Sequence, residues 1–187
     1  MPLPPKEPVI AIKGAGEMAT AVAWKLFQAG FRQIFMLEIE TPLAVRRRVS
    51  FCEAVYAGTM IVAGVQAERI VDINEVPGAW KRRCIPILVD PKWHSIKRLR
   101  PDVVVDAIIA KKNLGTRRED APLVIGLGPG FEAGHDVHRV IETLRGPALG
   151  RVIHNGCSAP NTGIPGPIGG FTRERLLRAP CPGIFSV

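Results

Sequence analysis

The sequence predicts an α/β protein with a parallel sheet, and three observations lead there. Val9-Ile10-Ala11-Ile12-Lys13 runs into Gly14-Ala15-Gly16-Glu17-Met18-Ala19 and then a helical pattern ending at Gly30, the order strand, glycine turn, helix. A second apolar run, Ile34-Phe35-Met36-Leu37, follows at once and closes on Glu38, nineteen residues after Ala19. Cys84-Ile85-Pro86-Ile87-Leu88-Val89-Asp90 and residues 102–109 are near-continuous apolar runs, as parallel strands buried on both faces require. This alternation is that of a Rossmann-like parallel sheet with helices. From about Leu123 it stops, glycine and proline become dense, and a Gly/Pro-rich β extension packed on the sheet is expected. The expected divisions are residues 1–120 for a Rossmann-like nucleotide-binding domain, 121–178 for the extension and 179–187 for the stub of an absent C-terminal β module.

Each small residue of the first turn has a physical task. Gly14 lets the chain leave the strand sharply, Gly16 leaves room for a pyrophosphate against the main chain, and Ala19 lets helix and strand pack closely. The unpaired N–H groups and dipole of the helix N-terminus favour an anion there without any basic side chain. Met18, Val22 and Leu26 with Ala19, Ala23 and Phe27 form the expected apolar stripe, and Gly30 the C-terminal cap. Glu38 stands where an acid at the tip of the second strand accepts from ribose hydroxyls. Glu17 complements the dipole but repels a phosphate at close range, so it must point outward or hold a cation.

Composition narrows the class. The 187 residues carry a net charge of +8, in short clusters such as Arg46-Arg47-Arg48, Lys81-Arg82-Arg83 and Arg117-Arg118. That balance favours anionic ligands or surfaces, nucleic acid included. No helix-turn-helix, zinc-finger or aromatic RNA-binding signature accompanies it, which argues against nucleic acid. No apolar run is long enough to span a bilayer and Met1 to Pro8 has no apolar signal core, so a cytoplasmic protein without membrane contact is expected. The four cysteines, Cys52, Cys84, Cys157 and Cys181, have no paired spacing and read as free thiols.

Past Glu38, residues 41–56 read as one or two short helices, with Thr41 as cap and Pro42 at the first position. Arginines here would suit the 2′-phosphate of NADP, whereas Glu38 prefers the free hydroxyls of NAD, and NAD is favoured. Residues 59–62 and 68–71 read as two short strands turned through Gly64, and Pro86 counts against a central place for its strand. A helical piece is expected near residues 95–99.

Asp106, near the C-terminal end of its run, is followed by Lys111, Asn113 and Thr116, which form a second candidate cluster; a turn cap beside solvated lysines is the plainer alternative. Gly128-Pro129-Gly130 ends another run, as an anion-binding nest or a mere tight turn. Residues 136–144 and 151–154 read as paired strands. His135, His138 and His154 invite a metal, but no thiolate stands at ligand spacing, so no metal is expected. The loop at 155–166 holds Cys157, a reactive thiol or, by preference, a buried inert one. Thr172 caps an expected short helix, and residues 181–185 begin a strand.

Several stretches together resemble a known family: Gly14-Ala15-Gly16-Glu17-Met18-Ala19-Thr20, Arg47-Arg48-Val49-Ser50-Phe51, Ala110-Lys111-Lys112-Asn113-Leu114-Gly115-Thr116, Gly126-Leu127-Gly128-Pro129-Gly130-Phe131 and Pro160-Asn161-Thr162-Gly163. The chain is similar in these to the YqeB-like accessory family of selenium-dependent molybdenum hydroxylase systems. The resemblance implies a maturation factor that services selenium or the molybdenum cofactor, with the hydroxylase or its maturation machinery as partner. It also implies a further β module, like a lipoyl domain, beyond Arg178-Ala179-Pro180.

The site expected from all this comprises Gly14, Gly16, Glu17, Met18, Ala19, Glu38, Asn113, Gly128 and Gly130 for a cofactor, with Asp106, Lys111 and Cys157 as candidates for chemistry. The cofactor would be NAD, another dinucleotide or a molybdopterin type. The alternative is an NAD(P)-dependent oxidoreductase, although Tyr56 lacks a lysine four residues on. A homo-oligomer is left open.

Overall fold

Strand β1 (Ile10–Lys13) turns through the glycines into helix α1 (Glu17–Gln28) and returns as β2 (Ile34–Glu38) in the computed structural model, which describes residues 6–177 and 179–183. Then come α2 (Ala54–Ala57), β3 (Thr59–Val62), β4 (Val65–Ile70), α3 (Val76–Lys81), β5 (Ile85–Val89), α4 (His94–Leu99) and β6 (Val103–Asp106). The remainder is β7 (Leu123–Leu127), β8 (Glu132–Ala133), β9 (Arg139–Ile141), β10 (Val152–Ile153) and β11 (Gly156–Cys157). Nine strands form one sheet in the order β10-β9-β7-β6-β1-β2-β5-β4-β3, while β8 and β11 pair separately. Among the described residues only the edge strands β3 and β10 run antiparallel to their neighbours. The fold is therefore a Rossmann-like α/β fold, with β1 and β2 as parallel neighbours in the register Ile10↔Ile34.

Side-chain alternation divides the core. Ile10, Ile12, Ile34 and Met36 pack with Ala19, Ala23, Phe51 and Val55 on one face; Ala11, Phe35, Leu37 and Val104 pack with Val76 and Ile96 on the other. Within α1 the buried residues are Ala19, Thr20 and Ala23, while Met18 is 44% exposed and drops out of the expected stripe. Gly30 has φ +102, as a residue past a helix end often does.

Several expectations change. Residues 41–46 form no helix; the segment holds 3₁₀ turns at Arg47–Val49 and Phe51–Glu53 before α2, and neither Thr41 nor Pro42 opens a helix. Pro86 lies in an interior strand, between β2 and β4. It is tolerated because pairing with β2 begins only at Met36↔Ile87, beyond the proline. From Leu123 the chain extends the sheet itself, β7 lying parallel to β6 with Val103↔Leu123, so the boundary expected at residue 121 divides one continuous sheet. Residues 173–175 make a single 3₁₀ turn with no side-chain cap from Thr172. The strand expected over 181–185 falls partly outside the described residues.

The chain leaves β1 for β2 on one side and returns to β6 on the other, which places a topological switch point between β1 and β6. The crossover from β6 to β7 carries no α-helix. Residues 107–122 run as irregular chain with one 3₁₀ turn, Arg118–Asp120.

Candidate functional site

The glycine turn is held from three sides. Gly14, at φ +90, donates its N–H to Leu37 O at 2.7 Å, and a side chain here would come 3.2 Å from the Cα of Ile108. Ala15 O accepts from Cys52 N and from the Thr20 hydroxyl, whose oxygen in turn accepts from Phe51 N. Gly16 differs. Its φ of −67 suits any residue, and an added Cβ would meet nothing within 4 Å. It occupies the N-cap of α1 and provides no side-chain cap; among the described residues nothing accepts from the N–H of Gly16 or Met18.

Both acids at the turn are committed. Glu38 folds back so that Oε2 accepts from Ala15 N at 2.8 Å and Oε1 from Ile39 N at 2.9 Å. Burial raises its pKa against the pull of those two N–H groups. Each oxygen retains a second lone pair, so ribose hydroxyls still have an acceptor. Glu17 turns outward: its Oε1 accepts from Arg46 N at 2.8 Å and lies 3.7 Å from Arg46 Nε. Partial burial pushes its pKa up, but the Arg46 N–H and its own backbone outweigh this and hold it below the usual range. Of the neighbouring arginines, Arg47 is spent on Glu53.

Asp106 is buried, in register with Lys13 at the end of β6. Its Oδ2 accepts from Thr116 Oγ1 at 2.6 Å and its Oδ1 from Ile108 N; burial raises its pKa despite these bonds. Thr116 Oγ1 accepts in turn from Lys13 Nζ at 2.8 Å, and the same ammonium reaches Asp120 Oδ2 at 2.8 Å and lies 5.1 Å from the Trp93 ring centre. Lys13 is fully buried, whereas the sequence presents it only as the last residue of a strand. The one available signal was a lysine closing an otherwise apolar run. Lys111 stands exposed with φ +62, while Ile109, also left-handed at φ +58, carries the strain of a β-branched residue there. Asn113 spends its amide on its own loop: Oδ1 accepts from Gly115 N and Thr116 N, and Nδ2 donates to Thr116 O.

The second glycine loop closes on its surroundings. A Cβ at Gly130 would lie 2.5 Å from the Lys112 Cα, and one at Gly128 2.5 Å from the Thr143 hydroxyl, so both glycines permit close packing. The turn after β1, the loop after β6 and the loop after β7 thus touch in series along one end of the sheet. Cys157 is exposed in β11, opposite Glu132, contrary to the preferred buried state: its two-residue strand lies outside the main sheet. Sequence reasoning missed Glu142 as an anchor. Buried at the end of β9, it accepts from Leu144 N and Ala159 N at 2.8 Å each. His138 accepts from Val124 N through Nδ1.

The chain is similar to the uncharacterized protein YqeB of Escherichia coli (strain K12), at 49% identity over 177 residues, which is 95% of this chain and 32% of that protein. It therefore spans about a third of the length of that relative. No protein-family profile matches the chain, and no solved structure does. No helix among the described residues is long and apolar enough to cross a membrane.

Proposed function

We propose that the protein binds a nucleotide-bearing anionic cofactor, NAD or a molybdopterin dinucleotide, over the Gly14–Ala19 turn, and serves as an accessory factor of a selenium-dependent molybdenum hydroxylase. Gly16 carries the binding reading. Neither its backbone angles nor any neighbour calls for glycine, and a serine there would cap the helix better, so the vacant space and open N–H groups suit a phosphate. Glu38, steadied by Ala15 and Ile39, offers its remaining lone pairs to ribose hydroxyls. The pocket of about 260 Å³ between Pro42, Arg47, Cys52 and Tyr56, just beyond that acid in the chain, suits a base. The accessory role rests on the motif resemblance.

The test is calorimetry of the purified protein against NAD, NADP, cytidine and guanosine dinucleotides and molybdopterin, repeated with Gly16→Val. One nucleotide binds and Gly16→Val abolishes it. Failure of the parent to bind any of them, or equal binding by Gly16→Val, reduces the turn to a structural feature.

A further inference from the structure

The crossover between β6 and β7 leaves an unfilled space at the end of the sheet opposite the glycine turn. The irregular chain at 107–122 supplies Arg117 and residues 119–122 to the lining of a cavity of about 730 Å³ that lies against the segments that enter β6 and β7. Its charged lining is Lys97, Arg100, Asp102, Arg117, Glu119 and Asp120, over a floor of aliphatic and proline side chains.

The charges there do not cancel locally. Asp102 accepts from Val9 N at 2.8 Å, and Asp120 is bound to the buried ammonium of Lys13. Among the described residues none of Lys97, Arg100 and Arg117 forms an ion pair; Asp102 and Glu119 still oppose them as carboxylates, so the lining together with Lys13 keeps one cation in excess. Arg100 also holds φ +46 at the end of α4, a position that glycine occupies at lower cost. Arg100 lines the cavity from that left-handed position.

We propose that this cavity is a second binding site, for a small phosphorylated molecule whose phosphoryl group sits among Lys97, Arg100 and Arg117 while its carbon skeleton lies on the apolar floor. A guanidinium pair matches phosphoryl oxygens in geometry as well as charge. The site is independent of the glycine turn.

The experiment uses Gly16→Val, so that the first site is closed, with inorganic pyrophosphate and adenosine monophosphate as probes in calorimetry. Both bind, sulfate binds at least tenfold more weakly, and adding Arg100→Ala with Arg117→Ala weakens pyrophosphate at least tenfold. Arg100→Gly separates binding from folding: it raises the melting temperature by relieving the left-handed angle, yet lowers pyrophosphate affinity. Absence of pyrophosphate binding to Gly16→Val overturns the proposal, as does unchanged affinity in the arginine variants. A single-stranded oligonucleotide that binds far more tightly than either probe, with a steep salt dependence removed by the same substitutions, also overturns it by assigning the cations to a nucleic-acid backbone. None of these outcomes bears on whether the parent binds a dinucleotide at the glycine turn.

Discussion

The ammonium of Lys13 and the carboxylate of Asp120 meet at 2.8 Å across 107 residues of sequence, and they differ sharply in exposure: Lys13 0% and Asp120 23% at the side chain. The two partners are therefore unequal when one is removed. Asp120→Ala leaves a buried cation with Thr116 as its remaining hydrogen-bond partner, and the expected cost is about 3–5 kcal/mol. Lys13→Met leaves Asp120 within reach of water, and the buried Asp106 carboxyl, whose pKa burial already raises, can take up a proton, so the cost is roughly 1–2 kcal/mol less than that. Urea denaturation of the two variants checks the order; equal losses would mean that the buried charge is not what governs the pair.

Glu142 links pH to stability. Burial pushes its pKa up, but the N–H groups of Ala159, Leu144 and Thr143 outweigh that and hold it below the ordinary carboxylate value. A depressed folded-state pKa contributes stability that is fully present above the unfolded value, about 4.3, and lost as pH falls through the folded one. Glu142→Gln should cost about 1.5–3 kcal/mol at pH 7 and progressively less towards pH 3. Thermal melts across that range show it as converging curves.

Thiol reactivity should sort by exposure. Cys157 and Cys181 are exposed, whereas burial and then the carboxylates of Glu38, Glu53 and Glu17 push the Cys52 thiol up to about 11. At pH 8 a thiol-specific chromogenic reagent should therefore label Cys157 and Cys181 quickly, with Cys52 and Cys84 reacting only on unfolding. Mass spectrometry after brief labelling identifies the sites, and early modification of Cys52 would contradict its placement.

Gly16→Ser should separate stability from ligand binding. The extended backbone at this N-cap lets a serine hydroxyl accept from the first turn of α1, a gain of a few tenths of a kcal/mol over glycine. That hydroxyl occupies the N–H groups proposed for phosphate, so the variant melts slightly higher and binds nucleotide at least tenfold more weakly. A variant both more stable and equally competent would place any ligand elsewhere.

Gly130 marks a close backbone approach, with φ +109 and a would-be Cβ 2.5 Å from the Lys112 Cα. Gly130→Ala should destabilise by about 2–3 kcal/mol through a forced shift of one loop against the other. Hydrogen exchange should rise in residues 107–116 as the contact loosens; unchanged protection there would show that the two loops are not mechanically joined.

What the sequence determined by itself was the strand-turn-helix-strand unit from Ile10 to Glu38 and the buried character of β5, β6 and β7, because apolar periodicity and the steric freedom of glycine are local properties. It also brought the turn residues Gly14 and Gly16 and the acid Glu38 into view. Only the tertiary structure decided where the polar groups spend their bonds: Glu38 on Ala15, Asn113 on its own loop, Asp106 on Thr116, Lys13 on Asp120 and Glu142 on Ala159. Apart from the Asn113 loop, these bonds join segments ten or more residues apart, some of them in the long connections after β6 and β9, where no hydrophobic period announces which side chain turns inward. A carboxylate at a strand tip looks the same in sequence whether it faces a ribose or a backbone N–H; burial and the return path of the chain choose between them.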